Sequence, residues 1–356
     1  MRKLAWSLRG IAAVLCLCTG VACSSSDNDS TPKGAGKAAG SGEQVSLQGT
    51  GATFPAPLYG KWFKAYGLAH PGVEINYQAV GSGAGVKAVK DKTVDFGASD
   101  AAMTDAEIKS VEGGVQLLPM TAGSIVLAYN LEGVDELKLP REVYVDIFLG
   151  KITKWNDAKI AAANPGATLP DSNINVVVRA DGSGTTYVFT KHLSEISAEF
   201  KKSPGTNKQP NWPVGTKSKG NDGVAAAIKT TPGAIGYIEF GHAIFTKLPM
   251  ASLENKAGKF IKPTIASGQA ALASVELPES LIAWLPDPAG DESYPIVTYT
   301  WIICYKHYAD AKKAAALRDV LAYGLTDGQK DSEGLGFIPL PTIVAAKAKA
   351  ALDNIK

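Results

Sequence analysis

The sequence of 356 residues is too long for one small core, which predicts two lobes, or one lobe with appendages. Hydrophobic residues make up 45% and charged residues 20%, and 37 Gly with 20 Pro indicate many turns, so the composition argues against a disordered chain. Three of the 36 Lys and Arg residues lie in the first nine positions. The other 33 are almost equal in number to the 34 Asp and Glu residues, so the rest of the chain has almost no net charge, which argues against nucleic acid or an anionic membrane as a partner.

The beginning of the chain has the features of an export signal. Arg2, Lys3 and Arg9 form a positive start, and residues 11–21 form an apolar run that is too short to span a bilayer. Small residues follow this run. The pattern predicts a signal peptide at 1–22.

Cys23 comes directly after these small residues. This order resembles a bacterial lipobox, although Gly20 stands where that pattern prefers Leu. The resemblance implies that Cys23 is diacylated, while an ordinary cleaved signal with an incidental cysteine is the alternative. Residues 23–42 contain no large apolar side chain, which predicts a disordered tether. The protein would then be held at a membrane surface without spanning the membrane.

The folded part begins with strands, glycine-rich turns and helices in alternation. Strands are predicted at 45–48, 73–79 and 95–99, and helices from Pro55 toward Gly67, from about Val86, and from Thr104 to about Val111. Thr104 and Glu107 have the spacing of a capping box. This rhythm predicts an α/β fold with a mostly parallel sheet.

The same rhythm continues to the end of the chain. Strands are predicted at 124–129, 174–178 and 295–305, and helices at 141–149, 186–193, after 221–223, at 310–325 and at 343–354. Cys304 is the one cysteine outside the targeting region, so no internal disulfide is predicted. Its apolar surroundings predict that it is buried.

Three turns rich in Gly, Ser and Thr, at 51–54, 81–83 and 181–185, each lie between a predicted strand and a predicted helix. A helix N-terminus offers unpaired N–H groups and the positive end of the helix dipole, which suits an oxyanion. Hydroxyls in these turns add donors. The turn at 81–83 lacks the Gly-Lys pair of a P-loop and the third glycine of a dinucleotide-binding turn.

Two charged positions suit an oxyanion that carries a proton. Arg179 ends a strand two residues before Asp181, and it is either an ordinary ion pair or a guanidinium aimed at the anion by Asp181. Asp100 is either a turn or N-cap residue or an acceptor for the proton of phosphate. A site built around such an acceptor would reject sulfate, which has no proton to donate.

Three motifs resemble the phosphate-binding proteins of bacterial high-affinity phosphate importers: residues 51–59 (GATFPAPLY), 95–100 (DFGASD) and 179–185 (RADGSGT). Further stretches at 150–155, 219–223 and 232–237 also resemble that family. The resemblance covers the chain from about Val45 to its end. One departure is Gly83-Ala84, where the family commonly has Ser then Gly.

The resemblance implies a two-lobed type II periplasmic binding protein, with two mixed or parallel sheets flanked by helices and a two-strand hinge. Lobe I would comprise 45–118 and 295–356, and lobe II would comprise 119–294. By the same resemblance, phosphate is bound by Thr53, Phe54 (through its backbone N–H), Ser82, Asp100, Arg179, Asp181, Ser183, Gly184 and Thr185. It implies a monomer that delivers phosphate to the permease of an ABC importer, with no cofactor and no metal.

Three other functions remain open from the residues themselves. A secreted phosphatase would need a nucleophile with a base, or metals, but the four histidines are scattered and are predicted to be surface or packing residues. A binding protein for sulfate or molybdate conflicts with Asp100. A surface sensor or adhesin with the same fold is not excluded.

Overall fold

The structure is a computed structural model that describes residues 44–356. The predicted signal peptide, Cys23 and the whole of the predicted tether therefore lie outside the described residues. Within 44–356, no helix has both the length and the apolar character needed to cross a bilayer.

The described part of the chain forms eleven strands. They are β1 (Val45–Gly51), β2 (Val73–Ala79), β3 (Phe96–Ser99), β4 (Val115–Tyr129), β5 (Lys138–Leu139), β6 (Asn175–Arg179), β7 (Thr216–Ser218), β8 (Ala234–Glu239), β9 (Ser252–Glu254), β10 (Phe260–Ile261) and β11 (Val297–Tyr305). Every strand predicted from the sequence is present. Five strands were not predicted, and all of them except β8 are only two or three residues long.

Twelve α-helices accompany these strands in residues 44–356. They are α1 (Ala56–Ala69), α2 (Ser82–Lys90), α3 (Asp105–Lys109), α4 (Arg141–Phe148), α5 (Ala158–Ala163), α6 (Gly184–Ile196), α7 (Ala198–Lys202), α8 (Gly220–Thr230), α9 (Phe240–Thr246), α10 (Ile265–Leu272), α11 (Ala311–Leu325) and α12 (Thr342–Ala350). Short 3₁₀ turns follow at Asp327–Asp331, Glu333–Leu335 and Ala351–Asn354. The capping box of α3 is confirmed, because Glu107 N donates to Thr104 Oγ1 and Thr104 N donates to the Glu107 carboxylate.

Three helices begin earlier than the sequence predicts. Helix α2 starts at Ser82 instead of near Val86, α6 starts at Gly184, and α8 starts at Gly220. In each case the prediction treated glycine-rich residues as a turn, but these residues form the first turn of the helix. This difference moves the predicted anion-binding turns onto helix N-termini, where the N–H groups are unpaired.

Eight strands form one continuous mixed sheet in the order β2-β1-β3-β11-β4-β8-β6-β7, and β10-β9-β5 form a small second sheet. Strand β4 explains the continuity. Its 15 residues pair antiparallel with β11 over residues 115–124 and then with β8 over residues 125–129. The sheet is therefore mixed. Four of its seven strand pairings are parallel, in agreement with the prediction, and the two central strands run antiparallel to their neighbours.

The pairing of β4 with β11 contains one irregularity. The register shifts between Thr300 and Trp301, opposite Pro119 and Thr121. Proline has no N–H to donate to the ladder, so a shift of register at this point costs little pairing. Cys304, near the end of β11, is a free thiol and is fully buried, which confirms that prediction.

Candidate anion-binding site

The first group of predicted site residues lies at one edge of the sheet. Strands β1, β2 and β3 are parallel, and Gly51 of β1 pairs with both Ala79 of β2 and Ala98 of β3. The loops that leave these three strands therefore begin side by side at their carboxyl ends. Such edges are the usual ligand sites of α/β sheets.

A second group lies at the carboxyl ends of β6 and β7. These strands are parallel, with Arg179 opposite Ser218, so the segments that begin α6 and α8 are neighbours. Asp181 connects the two segments, because its Oδ1 accepts a hydrogen bond from Gly220 N at 2.9 Å.

Direct contacts join the two groups. Gly83 N donates to the Gly182 carbonyl at 2.7 Å. The Thr185 hydroxyl lies 3.5 Å from Asp100 Oδ2, and Asn221 Nδ2 donates to Thr53 Oγ1 at 2.9 Å. The last of these contacts joins residues that are 168 positions apart in the sequence. The two groups enclose a polar centre that is almost entirely shielded from solvent.

Asp100 lies at this centre and is 1% exposed. Its Oδ1 accepts a hydrogen bond from Thr300 Oγ1 at 2.8 Å, while Oδ2 lies 3.4 Å from the Ser82 hydroxyl. Burial raises the pKa of Asp100 to about 6, although hydrogen bonds and the charge of Arg179 oppose the rise. The carboxylate is therefore mostly ionised at neutral pH and can accept a hydrogen bond from a ligand that carries a proton.

Arg179 supplies the positive charge of the site and is 3% exposed. Its Nε and Nη2 donate to the two oxygens of Asp181 at 2.9 and 2.5 Å, which fixes the plane of the guanidinium. Burial would raise the pKa of Asp181, but the bonds and charge of Arg179 outweigh burial and lower it. The sequence left two interpretations of Arg179 and Asp181 open, an ordinary ion pair or a guanidinium oriented by Asp181. In the structure the two residues form an ion pair beside Asp100, and this pair also orients the guanidinium.

The N-terminus of α6 also faces the centre. Ser183 caps this helix by accepting a hydrogen bond from Thr186 N at 3.0 Å. Gly184 and Thr185 are its first residues, and their N–H groups have no intrahelical acceptor. A Cβ added to Gly184 would lie 2.5 Å from Ser82 Oγ and 2.7 Å from Asp100 Oδ2, so only glycine allows this close approach.

This close approach gives a test by substitution. Gly184→Ala is expected to weaken anion binding by about tenfold to a hundredfold, because the added methyl must be accommodated at the cost of overpacking. Isothermal titration would measure the change. Gly60→Ala is a matched control, since a Cβ at Gly60 meets nothing within 4 Å. Equal affinities for Gly184→Ala and Gly60→Ala would contradict the assigned packing.

Two of the predicted site residues, Phe54 and Ser183, have only some of their polar groups available to a ligand. The ring of Phe54 is fully buried against Phe337, with centroids 6.1 Å apart, so only its backbone can serve a ligand. The Ser183 hydroxyl already accepts one hydrogen bond in the cap of α6, and its proton remains available to donate to a ligand. Within 44–356, no group of three His, Cys, Asp or Glu side chains is arranged to hold a metal.

Sequence reasoning missed three residues that contact the site. Asn221 is fully buried and donates to Thr53 Oγ1 from both its N and its Nδ2, and Thr300 holds Asp100. His242, predicted as a surface or packing residue, is 4% exposed and contacts the Thr53 carbonyl at 3.1 Å. The sequence could have pointed to Asn221, because a polar residue at the start of a helix can take part in an anion site in the same way as the predicted turns. No sequence pattern pointed to Thr300 or His242.

Comparisons with known proteins give consistent similarities. The model of a family described as a PBP superfamily domain matches residues 33–327. A phosphate-binding protein PstS of Xylella fastidiosa (strain 9a5c) is 37% identical, covering 95% of this chain and 96% of the relative. The PstS of Pasteurella multocida (strain Pm70) is 41% identical, covering 86% and 89%. A solved high-affinity periplasmic phosphate-binding protein, PfluDING bound with phosphate, superposes with a TM-score of 0.72 at 22% identity, covering 86% and 94%.

Proposed function

Since the chain belongs to the PstS family of phosphate-binding proteins, within the PBP superfamily, we propose that it captures inorganic phosphate outside the cytoplasm and delivers it to an ABC-type permease. It acts as a substrate-binding protein and not as an enzyme. The relatives are named for phosphate binding, and one of the solved neighbours is named as periplasmic.

One observation carries the choice of phosphate: the buried, ionised Asp100 lies at the centre of a set of donors. Arg179 and the first N–H groups of α6 stabilise negative charge. A carboxylate there is favourable only if the ligand brings a proton. Phosphate carries one near neutral pH and sulfate does not, so the site favours phosphate.

In the bound state, Asp100 accepts the proton of phosphate and Arg179 pairs with its charge, held in place by Asp181. The other oxygens receive hydrogen bonds from hydroxyl and backbone donors, namely Thr53, Phe54 N–H, Ser82, Ser183, Gly184 and Thr185. Asn221 occupies both acceptor positions of the Thr53 hydroxyl. That hydroxyl can therefore only donate to the ligand.

The division into lobes is part of the proposal. Lobe I (45–118 and 295–356) carries Thr53, Ser82 and Asp100, and lobe II (119–294) carries Arg179 and α6. Phosphate would bind between them, and the lobes would part by a rotation at β4 and β11, which cross between them near Pro119 and Pro295. Release to the permease would follow this opening.

We further propose that the exported protein is anchored through a lipid on Cys23. The lipobox-like order and the polar tether at 23–42 support it. Cys23→Ala is expected to move the whole population from the membrane fraction to the soluble fraction, because no other lipid anchor is proposed. Fractionation and intact mass would check this, and an unchanged distribution would favour the unmodified alternative.

Calorimetric titration of the protein, stripped of carried-over ligand, tests the function. We expect tight one-to-one binding of phosphate and no heat with sulfate. Binding of neither anion would favour a sensor or adhesin, and binding of sulfate would contradict the assigned role of Asp100. Turnover of a generic phosphomonoester would contradict the non-enzymatic assignment.

A further inference from the structure

Both ring nitrogens of the buried His242 face hydrogen-bond acceptors. Nδ1 lies 2.8 Å from Asp222 Oδ1, and Nε2 lies 3.1 Å from the Thr53 carbonyl oxygen. A carbonyl has no proton to give, and neither has an ionised carboxylate. A neutral imidazole carries one N–H only, so both hydrogen bonds exist together only when His242 is an imidazolium.

The charges around His242 favour the protonated ring. Burial lowers its pKa, but the bond to Asp222 and the charge of Glu239 outweigh burial and raise the pKa above 6.5. The Asp222 side chain is 88% exposed, so solvent screens that ion pair, whereas Glu239 is fully buried. Burial also raises the pKa of Glu239 to about 8, so this group contributes charge only in part at neutral pH.

The other elements around α9 add little charge at His242. Strand β4 packs against α9 and contains no Asp, Glu, Lys, Arg or His. Helix α8 also packs against α9 and carries Lys229 besides Asp222, but Lys229 Nζ donates to the carbonyl of Thr246, the last residue of α9. The bond from His242 is the main reason that the pKa of Asp222 is lowered, and the charge of Arg179, on β6, adds to this effect, so Arg179 acts on the ring only indirectly. The turn at Glu333–Leu335 approaches α9 through the Leu335 carbonyl, while the Glu333 side chain is exposed. The ring therefore responds mainly to Asp222 and Glu239.

The hydroxyl and the carbonyl oxygen of Thr53 both contact residues of α8 and α9, the helices that precede and follow β8. Asn221 on α8 donates twice to its hydroxyl, and His242 on α9 contacts its carbonyl. Thr53 itself follows β1, at the far side of the sheet order from β8. In the proposed division into lobes, these bonds join lobe II to lobe I, so opening of the lobes would break them.

We propose that protonated His242 is a positioning residue for phosphate, which holds Thr53 from α9 and thereby links closure of the site to the uptake of a proton. The inference rests on the proposed function, because it concerns how the same site holds phosphate. Opening removes the Thr53 carbonyl from Nε2, which lowers the affinity of the ring for its proton, and it also admits water to the ring, which raises that affinity. We infer that the lost bond has the larger effect, so the open form holds the proton less tightly than the closed form. By linkage, phosphate binding and protonation of His242 favour each other.

The sign of the pH dependence follows from this linkage. The closed, phosphate-bound form has the higher His242 pKa. The contribution of His242 is therefore fully present below the pKa of the open form, and it is lost as the pH rises through the pKa of the closed form. Phosphate itself, Asp100 and Glu239 also titrate near this range. The titrations of phosphate and Asp100 cancel in a ratio between variants, whereas Glu239 responds to His242, so its change of charge is part of the measured linkage.

The test compares phosphate association constants of the wild-type protein, His242→Gln and His192→Gln from pH 6 to pH 9. Gln retains an N–H for the Thr53 carbonyl but does not titrate there, which makes it the conservative variant. His192 is a matched control, because it is also fully buried but contacts Tyr144 and the Pro286 carbonyl instead of the site. We expect the ratio of wild type to His242→Gln to fall by about tenfold over this range, as for loss of one charge-assisted bond.

A flat ratio for His242→Gln, or the same fall for His192→Gln, would overturn the inference while leaving phosphate binding intact. Absence of phosphate binding by the wild-type protein at every pH would instead overturn the proposed function, and the linkage with it. If His242→Gln does not fold, NMR titration of the wild-type ring gives the same information. We expect a higher His242 pKa in the phosphate-saturated protein than in the stripped protein, and equal values would overturn the inference.

Discussion

Replacing Arg179 with Ala is expected to weaken phosphate binding by about 2–5 kcal/mol, which corresponds to roughly 30-fold to several thousand-fold in Kd. The guanidinium is 3% exposed and lies beside the buried Asp100. Its removal takes away a charge-assisted contact to the anion. It also leaves the Asp181 carboxylate without its partner, and this unpaired negative charge near the anion weakens phosphate binding further.

Calorimetry with phosphate would measure this loss, and Arg141→Ala is the matched control. Arg141 makes a similar two-bond pair with Asp287, at 2.9 and 2.8 Å, but it begins α4, away from the site residues. The control is expected to lose stability and to keep its affinity for phosphate. A loss below about 1 kcal/mol in Arg179→Ala would place Arg179 outside the site.

Replacing Asp100 with Asn is expected to lower the selectivity for phosphate over sulfate by at least about 100-fold. The ionised carboxylate can only accept, and it faces an oxygen of sulfate with no proton between them. The amide of Asn can donate to that oxygen and carries no charge. The hydrogen bond from Thr300 is retained, since the Asn oxygen can accept it in place of Oδ1.

The same logic predicts a pH effect in the unmodified protein. Burial raises the pKa of Asp100 to about 6, so its carboxyl gains a proton as the pH falls through that value. The protonated group can donate to sulfate and no longer repels it. Sulfate affinity is therefore expected to rise between pH 7.5 and pH 5 in the wild-type protein and to show much less of this rise in Asp100→Asn.

Competition titrations with the two anions would measure both effects, with Asp95→Asn as a control. Asp95 precedes β3 at the end opposite Asp100, where it accepts a hydrogen bond from Gln48 N at 2.7 Å and pairs with Lys313. This variant removes a carboxylate that also flanks β3 but leaves the residues of the site unchanged. Unchanged selectivity in a folded Asp100→Asn protein, or an equal change in Asp95→Asn, would show that Asp100 does not select the anion.

Local sequence was sufficient for most of the fold. Alternation of apolar residues predicted β2, the capping spacing predicted α3, and the order of strands and helices predicted the α/β class. The pairing of Arg179 with Asp181 was also readable, because two residues at the end of a strand lie within reach of each other. These features depend on neighbours in the chain, and short-range sterics and hydrogen bonding determine them.

Resemblance to a known family supplied what periodicity could not, namely which turns belong to one site. The residues alone left Asp100 open as an N-cap and Arg179 open as a surface ion pair. Both proved to be almost fully buried at one centre. Burial of a charged side chain is a property of the packed chain, so composition and spacing do not reveal it.

Only the tertiary structure decided which distant groups complete the centre. Thr300 reaches Asp100 across 200 positions of sequence, and His242 reaches Thr53 across 189. No local sequence pattern predicts such partners for a threonine within an apolar strand or for a histidine within a helix. The partners follow from the order of the strands in the sheet and from long β4, which continues from one part of the sheet into the other. Those pairings are formed between segments far apart in the chain, and so their energy does not appear in any short stretch of sequence.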